Sequence, residues 1–121
     1  MTDSADLPVD RIICGDSLTV LKTFPDQSVD LKRTSAGLSD VWYIPHEPSN
    51  AHPAPFPVEI PRRIISATNA EIILDPFSGS GTTAVAAKEL GRHYIGIEIS
   101  PDYCAMAKER IAKTNIQMTL L

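Results

Sequence analysis

A short apolar segment that ends in an acid and runs into a glycine-rich turn restricts the fold of this chain more than any other feature. The apolar residues 72–74 are followed by Asp75, the turn at 76–81 reads Pro-Phe-Ser-Gly-Ser-Gly, and an alanine-rich stretch follows from Thr82 to Leu90. These compositions predict a buried strand, a tight turn and a helix. Glycine lets the backbone turn sharply and approach a ligand closely, because it has no Cβ. The chain is therefore expected to contain a strand–turn–helix unit of an α/β fold.

A second strand tipped by an acid is predicted directly after this helix. Gly91 is a helix stop, and the apolar run at 94–97 ends at Glu98. The crossover between the two strands should be right-handed, and the acid is placed to accept hydrogen bonds from ribose hydroxyls. The spacing G-x-G-x-x-A at 79–84 also fits the dinucleotide fingerprint. The pattern alone therefore leaves open an NAD-type oxidoreductase fragment or an ordinary turn between strand and helix.

Length, composition and charge limit the class of protein. The 121 residues and 43% apolar content predict one domain over residues 1–121, with a tail at 1–8. A net charge of −4 argues against a surface that grips duplex DNA throughout, but leaves DNA open as a substrate. No apolar run approaches the ~20 residues that span a bilayer, and the acidic start lacks a signal-peptide pattern. Cys14 and Cys104 lack CxxC or zinc spacing, which predicts buried, reduced thiols in a cytoplasmic protein.

Local signals predict the remaining elements of the first half of the chain. Arg11 to Cys14 reads as a buried strand, Ser17 as the N-cap of a helix to about Thr23, and Val29 as the start of another strand. Prolines at 45, 48, 53, 55, 57 and 61 predict a loop over 40–61, because proline disrupts both helices and central strands.

Two further helices are predicted after that loop. The first begins at Pro61 and reaches Thr68, with the isoleucines at 60, 64 and 65 facing the core. The second begins at Ser100-Pro101-Asp102 and continues to about Lys113. Residues 116–121 are expected to form a short strand or a packed end.

Four segments, in their order along the chain, resemble the motifs of S-adenosylmethionine (SAM)-dependent DNA amino-methyltransferases, which methylate adenine N6 or cytosine N4. They are residues 12–17 (Ile-Ile-Cys-Gly-Asp-Ser), 50–57 (Asn-Ala-His-Pro-Ala-Pro-Phe-Pro), 75–83 (Asp-Pro-Phe-Ser-Gly-Ser-Gly-Thr-Thr) and 96–100 (Gly-Ile-Glu-Ile-Ser). The resemblance covers about residues 10–111 and matches the permuted motif order of that family. It implies a Rossmann-like fold, permuted and reduced, in which the strands near 12–14, 72–74, 94–98 and 29–33 form a mostly parallel sheet with flanking helices.

The resemblance implies SAM as the cofactor and assigns its contacts. Glu98 would accept from the ribose hydroxyls, Asp16 from the adenine amino group, and Ile99 would pack on the adenine. The segment 52–57 would wrap the methionine end, although His52 by itself reads as a hydrogen-bonding loop residue. For Asp75 two roles remain open, a contact to the ligand or support of the glycine turn. For Thr82 and Thr83 the two open roles are hydroxyl contacts to the ligand or capping of the helix. The implied cofactor-binding residues are Asp16, His52, Pro53, Ala54, Phe56, Asp75, Phe77, Ser78, Gly79, Gly81, Thr82, Thr83, Glu98 and Ile99.

The catalytic part of the family pattern is missing. The family flips the target base out of the helix and holds it with an [Asp/Ser/Asn]-Pro-Pro-aromatic tetrapeptide. Residues 28–31 resemble the segment that precedes this tetrapeptide in the family. An apolar strand and the tetrapeptide should follow, but residues 32–38 read Lys-Arg-Thr-Ser-Ala-Gly-Leu. From Ser39 onward the sequence again resembles the family, at a position much further along the family pattern. Residues 32–40 therefore mark the site of an apparent internal deletion. Ser35 is a candidate remnant of the tetrapeptide, and as such it favours cytosine N4 over adenine N6 as the original target. Trp42 and Tyr43 are expected to pack rather than to stack on a base.

Three interpretations follow from the sequence. The first is a DNA methyltransferase-family chain, of the kind found in restriction–modification, that binds SAM but is inactive or incomplete alone; whether it is an enzyme stays open. The second is a non-catalytic SAM-binding or interaction module, or half of a split or oligomeric methyltransferase. The third is the NAD-type fragment. Expected partners are DNA, bound weakly or not at all by this chain alone, and a second copy or a complementing chain; no metal and no membrane are expected.

Overall fold

A computed structural model describes residues 7–30, 42–45 and 56–117. Its elements, in chain order, are β1 (Arg11–Cys14), α1 (Ser17–Leu21), α2 (Glu59–Ser66), β2 (Ile72–Asp75), α3 (Thr82–Glu89), β3 (His93–Glu98) and α4 (Pro101–Ala112). The three strands form a parallel sheet in the order β1-β3-β2. This confirms the predicted α/β class with a parallel sheet and flanking helices. In these described ranges no helix is long and apolar enough to span a bilayer.

The register of the sheet brings the ends of all three strands to one edge. Cys14 at the end of β1 aligns with Glu98 at the end of β3. Asp75 at the end of β2 aligns with Gly96, two residues before the end of β3. The turns that follow the three strands therefore meet at the carboxyl edge, which is where parallel α/β sheets bind their ligands.

The core lies around α3, which contacts β2, β3, α2 and α4. Residues 84–87 of α3 are all buried, and three of them are alanines, which let neighbouring elements approach closely. The sheet, α2 with its N-cap, and α4 complete the buried cluster with Ile12, Val58, Ile65, Cys104, Ala107 and Ile111. Small side chains on α3 thus set the short distances between this helix and its neighbours.

The predicted boundaries of β2, α3, β3 and α4 agree with the structure to within one residue. Ser100 is the N-cap of α4, where its hydroxyl accepts a hydrogen bond from the Tyr103 N–H (3.4 Å), and Pro101 occupies the first turn. α3 ends just before Gly91, whose φ of +71° suits glycine. These boundaries depend on local chemistry, which explains why the sequence predicted them.

The prediction that Ser17 caps α1 is wrong. Asp16 is the N-cap, because its Oδ2 accepts from both the backbone N–H and the hydroxyl of Thr19 (2.9 Å each). The Ser17 hydroxyl instead donates to the Pro76 carbonyl, which links α1 to the turn after β2. The helix also ends at Leu21 rather than near Thr23.

The helix predicted from Pro61 begins two residues earlier, at Glu59. Pro61 still lies in the first turn, where its missing N–H costs no intrahelical hydrogen bond. Ile65 is buried and Ile60 half-buried, but Ile64 is 44% exposed, so the prediction that Ile64 faces the core is wrong. Glu59 forms ion pairs with Arg62 and Arg63 within this helix, and Arg62 also pairs with Glu89 of α3.

Four other expectations meet a different or partial outcome. Val29 is 51% exposed in irregular backbone, and the rest of the strand expected there lies outside the described residues. Tyr43 is 91% exposed rather than packed, whereas the half-buried Trp42 ring lies 5.6 Å from the Arg63 guanidinium carbon. Residues 116 and 117 are exposed and form no strand, and 118–121 lie outside the description. Cys104 is buried as predicted, but Cys14 is exposed.

Candidate functional site

A cleft of ≈ 420 Å³ opens at the carboxyl edge of the sheet, between the turns that follow the three strands. It brings together four of the residues predicted to bind the cofactor. Its lining residues are Asp16, Ser17, Leu18, Pro76, Phe77, Ile97, Glu98 and Ile99. Two larger clefts, of ≈ 460 and ≈ 530 Å³, contain neither Asp16 nor Glu98. The cleft at the strand tips is therefore the candidate site.

The carboxylate of Glu98 is held in place by two backbone N–H groups. Its Oε2 accepts from the Gly79 N–H (2.7 Å), and its Oε1 accepts from the Ser100 N–H (3.1 Å). Each carboxylate oxygen can accept more than one hydrogen bond, so both keep a free acceptor position. The side chain is thus oriented before any ligand arrives and can still receive two donors, such as a pair of vicinal hydroxyls.

The glycine turn is fastened to β3 at its start and to α3 at its end. The Ser78 N–H donates to the Ile97 carbonyl and the Gly81 N–H to the Ser78 carbonyl (2.9 Å each). Gly79 and Gly81 have φ of +55° and +86°, which L-residues with a Cβ rarely adopt. Gly81 is also the N-cap of α3 and has no side chain to satisfy the first N–H groups of that helix. Those donors are suited to an anionic group.

Arg110 on α4 binds the end of the glycine turn and the start of α3 through three hydrogen bonds. Its Nη1 donates to the Ser80 carbonyl (2.8 Å), the Ser80 hydroxyl (2.9 Å) and the Thr82 hydroxyl (3.1 Å). Ser80 and Thr82 are both buried, so Thr82 acts in the turn rather than as a free contact. From the sequence, Arg110 is expected only to lie within the helix that continues to about Lys113. Nothing local pairs it with residues about thirty positions earlier, so only the fold could reveal this role.

We expect Arg110→Met to lower the free energy of unfolding by about 2 kcal/mol, because buried oxygens lose a charged donor. Urea unfolding followed by circular dichroism measures the loss. Lys113→Met is the matched control on the same helix, since Lys113 forms an exposed pair with Glu109 and should change stability by less than about 0.5 kcal/mol. Equal effects of the two substitutions would show that the hydrogen bonds of Arg110 to Ser80 and Thr82 contribute nothing to stability.

Asp16 also lines the cleft, as an ionised carboxylate. The backbone N–H of Thr19, and then its hydroxyl, bond to Asp16 and lower the pKa of this carboxyl below its usual value. At neutral pH the group therefore accepts hydrogen bonds and does not donate them. An amino group of a ligand is the kind of donor it can receive.

Two large apolar side chains flank Glu98 and face solvent. Phe77 is 80% exposed and Ile99 is 68% exposed, and both line the cleft. Exposed apolar side chains beside anchored carboxylates are typical of a ligand site, since they offer flat contact area to a ring. Asp75 braces this region, because its Oδ1 accepts from the Phe77 N–H (3.0 Å).

The other predicted contacts lie away from the cleft or outside the description. Thr83 is half-buried in the first turn of α3, and Ser78 is buried, with a hydroxyl that has no hydrogen-bond partner in the described ranges. Phe56 is 46% exposed just before α2 and does not line the cleft. His52, Pro53, Ala54 and the remnant candidate Ser35 lie outside the described residues. Over residues 7–30, 42–45 and 56–117, no three side chains form a metal-binding group.

Curated relatives of this chain carry the name type II methyltransferase. It is 42% identical over 84 residues to the type II methyltransferase M.ScaI of Streptomyces caespitosus, covering 60% of this chain and 28% of the relative. It is 37% identical over 95 residues to the type II methyltransferase M.SmaI of Serratia marcescens, covering 76% and 32%. It is 52% identical over 64 residues to M2.LlaDCHI of Lactococcus lactis subsp. cremoris, covering 51% and 24%. The chain thus spans less than a third of the length of these relatives.

A solved structure agrees with this similarity. The crystal structure of the M1.HpyAVI–SAM complex superposes with a TM-score of 0.53 and 36% identity, over 66% of this chain and 44% of that one. A family model described as DNA methylase, for N6 and N4 methyltransferases, matches residues 17–109. That match includes the glycine turn, Glu98 and most of α4. The chain therefore belongs to the N6/N4 DNA methylase family.

Proposed function

We propose that this chain binds SAM in the cleft at the carboxyl edge of the sheet and supplies the cofactor-binding part of a DNA amino-methyltransferase. The observation that carries the proposal is the Glu98 carboxylate, fixed by the Gly79 and Ser100 N–H groups with acceptor positions left free. Family membership and the SAM named in the M1.HpyAVI complex support the choice of ligand.

The residues of the cleft suit the parts of SAM. Glu98 accepts from the two ribose hydroxyls, and Asp16, ionised and facing the same cleft, accepts from the adenine amino group. Phe77 and Ile99 supply apolar contact to the adenine ring. The N–H groups at the start of α3, which no side chain caps, are suited to the carboxylate of the methionine end.

Methyl transfer to adenine N6 or cytosine N4 requires a group that holds the target base, and we propose that this chain alone lacks it. The sequence contains no Pro-Pro pair and therefore no [Asp/Ser/Asn]-Pro-Pro-aromatic tetrapeptide. Positioning and polarisation of the amino nitrogen supply much of the rate in such a reaction. We expect SAM binding with little or no methylation of DNA.

A second candidate function is a cofactor-binding half that a complementing chain completes. It is favoured by β2, which among the described residues pairs only with β3 and therefore presents one edge of the sheet. Open strand edges readily pair with another strand. Coverage of less than a third of each curated relative described above is consistent with strands supplied from elsewhere.

The test is a calorimetric titration of the purified chain with SAM, with NAD as the control ligand, followed by transfer of radiolabelled methyl groups to duplex DNA. We expect saturable 1:1 binding of SAM, none of NAD, and no label in DNA. A folded chain that binds no SAM would refute the proposed cofactor site. Robust labelling of DNA would refute the proposal that this chain alone lacks the group that holds the target base. NAD binding without competition from SAM would restore the oxidoreductase interpretation.

A further inference from the structure

The two cysteines of the chain, Cys14 and Cys104, meet at the carboxyl edge of the sheet although they lie near opposite ends of the sequence. Cys14 ends β1, where it aligns with Glu98 of β3. Its Sγ contacts the Ile99 carbonyl at 4.0 Å, and the Cys104 Sγ donates to the Glu98 carbonyl at 3.2 Å. The two thiols thus lie at the carbonyls of consecutive residues, Glu98 and Ile99, and Cys14 is near enough to shift the pKa of Cys104. Both are free thiols.

The surroundings of the two thiols differ. Cys14 is exposed, whereas Cys104 is only 3% exposed within the core next to Ala107. Burial, and then the neighbouring Cys14 thiol, raise the pKa of the Cys104 thiol to about 12. Cys104 is therefore protonated and shielded at neutral pH, while reagents in solution can reach Cys14. An accessible thiol in contact with a shielded one is the arrangement of an attacking and a resolving cysteine.

We propose that Cys14 and Cys104 are a modification site, at which a low-molecular-weight disulfide converts the thiol pair into an intramolecular disulfide beside the candidate cofactor cleft. The Cys14 thiolate attacks one sulfur of the small disulfide, forms a mixed disulfide and releases one small thiol. Cys104 then attacks the Cys14 Sγ and releases the second small thiol, which takes up the Cys104 proton. Two protein thiols are oxidised, and one small disulfide is reduced to two thiols.

The bond would join two elements that position the cleft. Cys14 immediately precedes Gly15 and Asp16, and Cys104 lies on the turn of α4 that follows Ser100, whose N–H holds Glu98. The bridge would link positions 14 and 104 and so close most of the chain into one loop. Closing a long loop restricts the unfolded chain, so the bridged protein should melt at a higher temperature than the reduced protein.

The experiment exposes the reduced, full chain to oxidised glutathione and follows the intact mass with time. We expect first an adduct of one glutathione on Cys14, and then a product lighter than the reduced chain by two hydrogen atoms. Because Cys104 must lose its proton, the conversion of adduct to product should accelerate about tenfold per pH unit between about pH 7 and 9. Peptide mapping without reduction should show Cys14 joined to Cys104.

Three variants separate the two steps. Cys104→Ser, or Cys104→Ala if the serine variant does not fold, should stop at the glutathione adduct, and Cys14→Ser should form no adduct while folded. A wild-type adduct that never converts, a first adduct on Cys104, or bridges only between chains would each overturn the proposal. So would a bridged protein that melts no higher than the reduced one.

Discussion

Replacing Gly81 with alanine is expected to destabilise the fold by about 3 kcal/mol and to lower Tm by about 10 °C. A Cβ at this position would lie 2.8 Å from the Cβ of Ala107 and 3.1 Å from its Cα, which belongs to the backbone of α4. Relief would require a shift of the whole helix rather than of one flexible side chain. The φ of +86° adds the cost of the left-handed conformation.

Gly91→Ala is the matched control for this effect. Gly91 also has a positive φ, +71°, but a Cβ there would meet only Ile116 Cγ2 at 3.9 Å, an ordinary contact. This variant should lose about 1 kcal/mol, which is the conformational cost alone. Chemical unfolding of both variants measures the two losses of unfolding free energy, and their difference is the steric cost of the Cβ at position 81. Equal losses would mean that α3 and α4 do not depend on the close approach at Gly81.

Replacing Glu98 with alanine is expected to weaken SAM binding at least about 100-fold, because two hydrogen bonds to a charged acceptor are lost. The same change leaves the Gly79 and Ser100 N–H groups without their acceptor, so the glycine turn also loses its anchor. Glu98→Gln keeps the shape and one oxygen. It should weaken binding about 10-fold, because its NH₂ group would face an N–H donor.

Glu109→Gln is the control for the Glu98 variants. Glu109 is an exposed acid on α4 that pairs with Lys113, away from the cleft lining, and its replacement should leave the affinity unchanged. Calorimetric titration gives the affinities, and circular dichroism verifies folding at the titration temperature. Unchanged affinity in folded Glu98→Ala, or an equal loss in Glu109→Gln, would contradict the assignment of the ribose site.

Features decided by neighbouring residues were predicted well. Ser100 and Pro101 begin α4 and Gly91 follows the end of α3, because caps, prolines and glycines act within one helical turn. The error at the start of α1 has a cause outside the local sequence. Both Asp16 and Ser17 can cap a helix, and the choice was made by a distant group, the Pro76 carbonyl that Ser17 binds.

Contacts between distant residues could not be derived in the same way. Arg110 reaches Ser80 and Thr82, and Cys14 meets Cys104, only because β3 lies between β1 and β2 and α4 packs back across the sheet. The side of α2 that faces the core was mispredicted at Ile64, since packing against α3 buries Pro61 and Ile65 and leaves Ile64 exposed.

The sequence by itself determined the α/β class, the strand–turn–helix–strand unit and the acid at each strand tip, since these depend on hydrophobic runs, glycine and capping chemistry that act over a few residues. Only the tertiary structure decided the strand order and brought Asp16, Phe77, Glu98 and Ile99 around one cleft. It also determined that Glu98 is anchored by two backbone N–H groups. Such contacts depend on the register and packing of elements far apart along the chain, which no local pattern specifies.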